Sequence, residues 1–135
     1  MQLVAKLHSP LKVRLPRKTK EDKQFILNLN NYRNAHYHIL NQAKQIYKET
    51  MKHQINALPA LTMVAVRFVF YPKTQRITDT ANVCSIHEKF FMDAVVELGK
   101  LPGDDYRYHV ETGYKFGYVD PHNPRVEAEI YKVTR

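Results

Sequence analysis

A mixed α/β fold, an α+β arrangement of a small mixed sheet with two principal helices, is the class the sequence predicts, and three observations predict it. Two stretches carry apolar residues at helical spacing: Ile39, Leu40, Ala43, Ile46, Tyr47 and Met51 in the first, Ile86, Phe90, Ala94 and Leu98 in the second. Between them, Thr62 to Tyr71 is dense in β-branched and aromatic residues, as a strand requires. Shorter alternating stretches lie outside them, Leu11, Val13 and Leu15 near the start and Val126, Ala128 and Ile130 near the end. A chain of 135 residues has room for one domain with a real core and rarely for two. No repeat, low-complexity tract or linker divides it, so residues 1–135 are expected to form a single domain.

In chain order, the first strand around Leu11 to Leu15 presents Lys12 and Arg14 on one face and stops at Pro16. The basic stretch to Lys23 reads as a solvated loop or as phosphate contacts, with Arg14, Arg17 and Lys18 the candidates. The first helix is expected to start at Asn34 as its N-cap and to end before Pro59. Its other face aligns Lys44, Lys48 and Lys52 four residues apart, either a solvated row or a DNA contact. Thr62 to Tyr71 puts Val64, Val66, Phe68 and Phe70 on one side and Met63, Ala65, Val69 and Tyr71 on the other, which suits a central strand covered on both faces. The second helix runs from about Asn82 to Leu98, with Gly99 as its stop. Strands follow at Tyr106 to Val110 and around Val126 to Ile130. Aromatics and cations interleave from Tyr106 to Tyr118, with Gly113 and Gly117 placed for a turn. That segment suits either hairpin packing or the stacking of unpaired bases.

Twenty-one Lys and Arg against thirteen Asp and Glu leave a net charge of +8, so polyanions are the favoured partners, nucleic acid ahead of anionic membrane surfaces. The single cysteine, Cys84, excludes an intrachain disulfide and a thiolate zinc site, and fits a reducing compartment. The amino terminus lacks the apolar core of a signal peptide. The longest apolar run, Leu58 to Val66, is interrupted by Pro59 and is too short to span a bilayer as a helix. A soluble, cytoplasmic protein without a membrane partner is expected. His53 and His87 have no H-x-x-x-H spacing and are not read as ligands.

Acids concentrate in one region of this basic chain: Asp79-Thr80-Ala81-Asn82, then Glu88, Lys89 and Asp93, then Asp104-Asp105. Phosphodiester hydrolysis accounts for such a mixture, since carboxylates hold Mg²⁺, the metal activates water, and surrounding cations hold the DNA. Each residue also has a plainer role open to it. Asp79 is placed to cap the second helix, Asp104-Asp105 to form a turn after Pro102-Gly103, and Asp93 to pair with Lys89 at i+4.

The stretch from Arg76 to Tyr106 resembles the RusA family of Holliday junction resolvases in Asp79 to Asn82, Lys89, Asp93-Ala94-Val95 and Asp104-Asp105, taken in that order. The resemblance implies a RusA-like fold and a homodimeric, Mg²⁺-dependent endonuclease acting on branched DNA such as a four-way junction. It also implies catalytic roles for Asp79, Lys89 and Asp105, and metal ligation by Asp79, Asp104 and Asp105. Two departures bear on the site. The family's second acid falls on Ala81, for which Glu88 is the candidate replacement, and the family's essential lysine falls on Ser85 unless one helical turn is inserted, which brings Lys89 into its place. Cations expected on the DNA are Arg14, Arg17, Lys18, Lys44, Lys48, Lys52 and Arg76. The helix between Asp79 and Asp105 is itself about 25 Å long. The next strand must fold back, or a symmetric dimer must complete the site.

Overall fold

The computed structural model describes residues 1–134. Their elements are β1 (Gln2–Ser9), β2 (Lys12–Leu15), β3 (Lys23–Ile26), α1 (Leu29–Asn34), α2 (Tyr37–Asn56), β4 (Val64–Tyr71), α3 (Thr80–Glu97), β5 (His109–Phe116) and β6 (Arg125–Lys132). Four strands form a mixed sheet in the order β1-β6-β4-β5, and β2 pairs with β3 in a separate hairpin. β4 and β5 are parallel, while β6 is antiparallel to both of its neighbours, β1 and β4. The mixed α+β class and the two long helices agree with the sequence expectation.

Element boundaries differ from the expectation at three helix and strand ends. Asn34 ends the short α1 rather than capping α2, whose cap is His36, its ring accepting the His38 N–H. Asp79 caps α3, so that helix begins two residues before Asn82. Gly99 closes it as expected, with φ at +79°, a conformation glycine adopts without steric penalty. The strand expected at Tyr106 to Val110 is β5, displaced toward the carboxyl end, and Gly113 lies inside it rather than in a turn. No β5 hairpin exists, because β5 runs parallel to β4 and is reached through α3; parallel neighbours need such a crossover. β1, β3 and α1 have no counterpart in the sequence reading. Only Leu7 and Ser9 of β1 are buried and α1 buries nothing, so the apolar period is too faint to announce either.

Val64, Val66, Phe68 and Phe70 face the helices, with Phe68 edge-on to Phe91 of α3. The hairpin adds Val13, Leu15 and Phe25, whose ring stacks on Phe90, and these residues share one buried cluster with Tyr47, Met51 and Ile55 of α2. The opposite face of β4 carries no second layer among the described residues, contrary to the expectation of a strand covered on both sides. Its centre is shielded laterally instead. The Arg67 guanidinium donates to Glu129 at 2.8 Å and to the Tyr131 hydroxyl at 3.0 Å, and Lys6 stands 3.8 Å from the same carboxylate. Ala65 and Val69 are buried although no helix lies over them.

Inside the core, Ser9 Oγ lies 2.6 Å from the Tyr47 hydroxyl and 2.7 Å from His87 Nδ1, and all three side chains are fully buried. This chain of hydrogen bonds joins β1, α2 and α3. His87 Nε2 has no protein partner, and burial pushes the imidazole down to about 3. It is therefore neutral when folded, whereas an exposed histidine protonates near 6.5. The unfolded chain then binds the extra proton, so this stability is complete above about pH 6.5 and is lost as pH falls toward 3, with a slope of at most about 1.4 kcal/mol per unit. Urea unfolding at pH 7.5 and at pH 5 is expected to show the loss, and the His87 ring should stay neutral at pH 5 by NMR. Ser9→Ala removes a partner from two buried groups at once and should cost about 1–3 kcal/mol in the same assay.

Candidate functional site

A groove of about 700 Å³ opens where β4 ends, between its exit loop and the base of the β2–β3 hairpin. Crevices form at this end of a parallel unit because the chain must leave the sheet there and cross to a helix. Lys73, Arg76, Ile77 and Asp79 come to it from the loop, Asn28 and Asn30 from the start of α1, and Asn82 from α3. The two sides are tied together by the Leu29 N–H, which donates to Asn82 Oδ1 at 3.0 Å. Asp79 spends one oxygen on its cap, accepting the Ala81 N–H at 3.0 Å, and is otherwise exposed. Ile77 is 99% exposed at the rim. Its side chain gains no burial within the chain.

The sequence-predicted acids do not meet in one chain. Asp105 accepts from the N–H groups of Tyr108 and His109 through its carbonyl, and the Tyr108 carbonyl accepts from Val64, so Asp104-Asp105 sit at the entry end of β4 while Asp79 lies beyond its exit. The eight residues of β4 and the eighteen of α3 place those ends on the order of 25 Å apart. Glu88 does not replace the acid missing at Ala81 within the chain. It is in the third turn of α3, nine residues past Asp79, hence about 180° around the axis and roughly 13 Å along it. Its carboxylate instead accepts from the Tyr114 hydroxyl of β5. Burial and that carboxylate together raise the Tyr114 phenol above its ordinary range. Among the described residues no three His, Cys, Asp or Glu side chains stand close enough to hold a metal ion.

Lys89 is exposed, its ammonium 5.8 Å from the Tyr32 ring centroid, and points toward α1 rather than toward either acid end. Asp93 pairs with Lys44 of α2 at 3.3 Å, not with Lys89, and Lys48 pairs with Glu97 at 2.9 Å. Two members of the expected basic row are therefore spent bridging α2 to α3, because that side of α2 faces α3 rather than solvent; Lys52 remains exposed. Arg14 pairs with Asp22 across the hairpin at 3.2 Å, and the Arg17 guanidinium donates to the Glu21 carbonyl at 2.7 Å. Lys18 and Arg76 are exposed.

Lys73, Ile77, Asn28 and Asn30 were missed in the sequence. A capping Asn ahead of Leu29 and a bare apolar residue inside a polar loop were the available signals, and both are short-range features that only the groove turns into a site. No protein-family model matches the chain, and no curated protein is significantly similar to it. The functional reading accordingly rests on the residues themselves.

Asp105 offers a direct check on the geometry. Both its oxygens are engaged by Arg107, at 3.0 Å from Nε and 2.9 Å from the terminal amine, and the hydrogen-bonded guanidinium holds its carboxyl down at about 2. In Arg107→Ala the carboxyl is expected to climb from about 2 toward the ordinary 3.8 in an NMR titration.

Proposed function

We propose that the chain is an endonuclease for branched DNA that works as a homodimer and with Mg²⁺. The observation that carries this reading is the groove at the exit of β4, which Asp79 lines together with the exposed cations Lys73 and Arg76 and the bare aliphatic side chain of Ile77. Exposed cations contact phosphates without regard to sequence, and an aliphatic wedge suits a site where base stacking is already interrupted, as at a junction.

A Mg²⁺ ion does not fit the residues of one chain, since Asp79 has a single free oxygen at its end and Asp105 is held by Arg107 at the other. Within one chain a cation at Asp79 would have one carboxylate, the rest of its shell falling to water and phosphate oxygens. The same observation favours a second reading, a protein that binds branched or single-stranded nucleic acid without cutting it. The two part in one experiment, nicking of a synthetic four-way junction with and without Mg²⁺. Cleavage that requires the metal and disappears in Asp79→Asn while junction binding persists is the expected result. Tight, salt-sensitive binding with no cleavage by the unaltered protein would favour the second reading.

Binding itself should weaken steeply with salt, log K falling by roughly 0.9 per decade of salt for each phosphate neutralised. Arg76→Ala and Lys73→Ala should each lower that slope by about one and weaken binding to all junction sequences alike. Lys48→Ala, whose ammonium is committed to Glu97, should leave the slope nearly unchanged. A flat salt dependence in the unaltered protein would remove nucleic acid as the partner.

A further inference from the structure

At the corner where α1 ends and α2 begins, three consecutive side chains form a ring stack outside the core. The rings of His36, Tyr37 and His38 have centroids 4.0 to 4.9 Å apart and lie within 25 to 39° of parallel. Successive residues of a helix diverge and do not ordinarily bring their side chains together. His36 is not helical. It is the cap, with extended backbone at φ −63° and ψ 146°, and its ring turns back over the first turn to accept the His38 N–H at 3.2 Å. That hydrogen bond restrains the ring against its neighbours. All three rings are open to solvent, Tyr37 at 62% exposure.

The surroundings suit an anionic chain with hydrogen-bonding edges. No Asp or Glu occurs between Asp22 and Glu49, so no carboxylate in the first turn of α2 offsets the partial positive charge at the start of that twenty-residue helix. Ala35 and Ile39, on either side of the three rings in the chain, line a crevice of about 230 Å³ together with Lys23, Gln24 and Asn34. Those last three are exposed, a cation for phosphate and two amides that both donate and accept. Arg33 is exposed at the end of α1, and the Lys89 ammonium lies 5.8 Å from the Tyr32 ring centroid, so cations accompany α1 as well. An acidic protein would answer the cations but would offer the rings no flat partner, whereas a nucleotide answers both.

We infer that the rings of His36, Tyr37 and His38 are a platform for an unpaired nucleobase of single-stranded DNA, separate from the groove at the exit of β4. The platform rests on the nucleic-acid part of the proposed function and not on cleavage. Every base presents a π face to such rings, so binding there is indifferent to sequence. α1 connects the two places. Asn28 and Asn30 line the groove, Asn34 and Ala35 line the crevice, and the six residues of the helix span about 9 Å. A strand left unpaired at a branch point and leaving the groove along α1 meets the rings, with Arg33 and Lys89 within reach of its phosphates.

Anisotropy titrations with oligothymidylate and with an abasic strand of equal length separate base stacking from phosphate attraction. The unaltered chain should bind the strand that carries bases on the order of tenfold more tightly. Tyr37→Ala should remove that preference and leave the salt slope unchanged, because a stacked ring releases no counterion, whereas Arg76→Ala lowers the slope. The chain contains no tryptophan, so Tyr37→Trp installs a single indole. Its fluorescence should be quenched by oligothymidylate and not by the abasic strand. Equal affinity for the two strands, a Tyr37→Ala chain that keeps the preference, or an indole unquenched at saturation overturns the platform. Where junction binding in those cases still weakens with salt and with Arg76→Ala, the proposed function stands without it. An unaltered chain that binds no DNA even at low salt overturns both.

Discussion

Two adjacent strands running the same way cannot be joined by a turn, because the chain leaving the first must travel back along the whole sheet before starting the second. The β4–α3–β5 unit meets that requirement with an eighteen-residue helix, and most of the molecule is arranged around it. The helix buries Val83, Ile86, Phe90, Phe91 and Val95, supplies His87 to the polar chain in the core, and separates the exit of β4 from the entry of β5 by its own length. Residues near in sequence to its two ends are thereby held far apart. The acids before and after α3 are consecutive features of the sequence and opposite poles of the fold.

Charge is distributed by the same constraint. The chain carries +8, yet several of its cations face carboxylates: Lys44 and Lys48 across α2 and α3, Arg67 on Glu129, Arg107 on Asp105, and Arg125 on Asp120 and Glu127. The exposed pairs among them contribute little to stability, typically below about 1 kcal/mol each, but all of them lower the local field that a polyanion would meet. The cations left uncommitted beside the groove, Lys73 and Arg76, lie on the exit loop of β4. Net charge announces a preference for polyanions, and the pairing pattern selects the face that can express it.

The hydrogen-bonded chain from Tyr47 through Ser9 to His87 illustrates what the apolar pattern conceals. Three polar side chains from three elements occupy the middle of the core, joined through the Ser9 hydroxyl to Tyr47 and to His87 Nδ1. Ser9 has no periodic signature, and nothing in the spacing of His87 assigns it a role. Their roles depend on partners 38 and 78 positions away from Ser9, separations at which a single sequence carries no local signal.

By itself the sequence determined the fold class, the two long helices, the central strand β4 and the glycine that ends α3. These follow from periodicity, strand composition and backbone sterics, all of which act within a few residues. The same local chemistry made Asp79 legible as a cap. Tertiary structure decided that β5 runs parallel to β4, that Glu88 answers to Tyr114 rather than to Asp79, that Lys44 and Lys48 face α3, and that the candidate acids lie at opposite ends. Each is a matter of which distant residue stands opposite. That is fixed only when the hydrophobic faces of all the elements are buried together, because strand direction and helix rotation are chosen by the packing of the whole rather than by any segment of it.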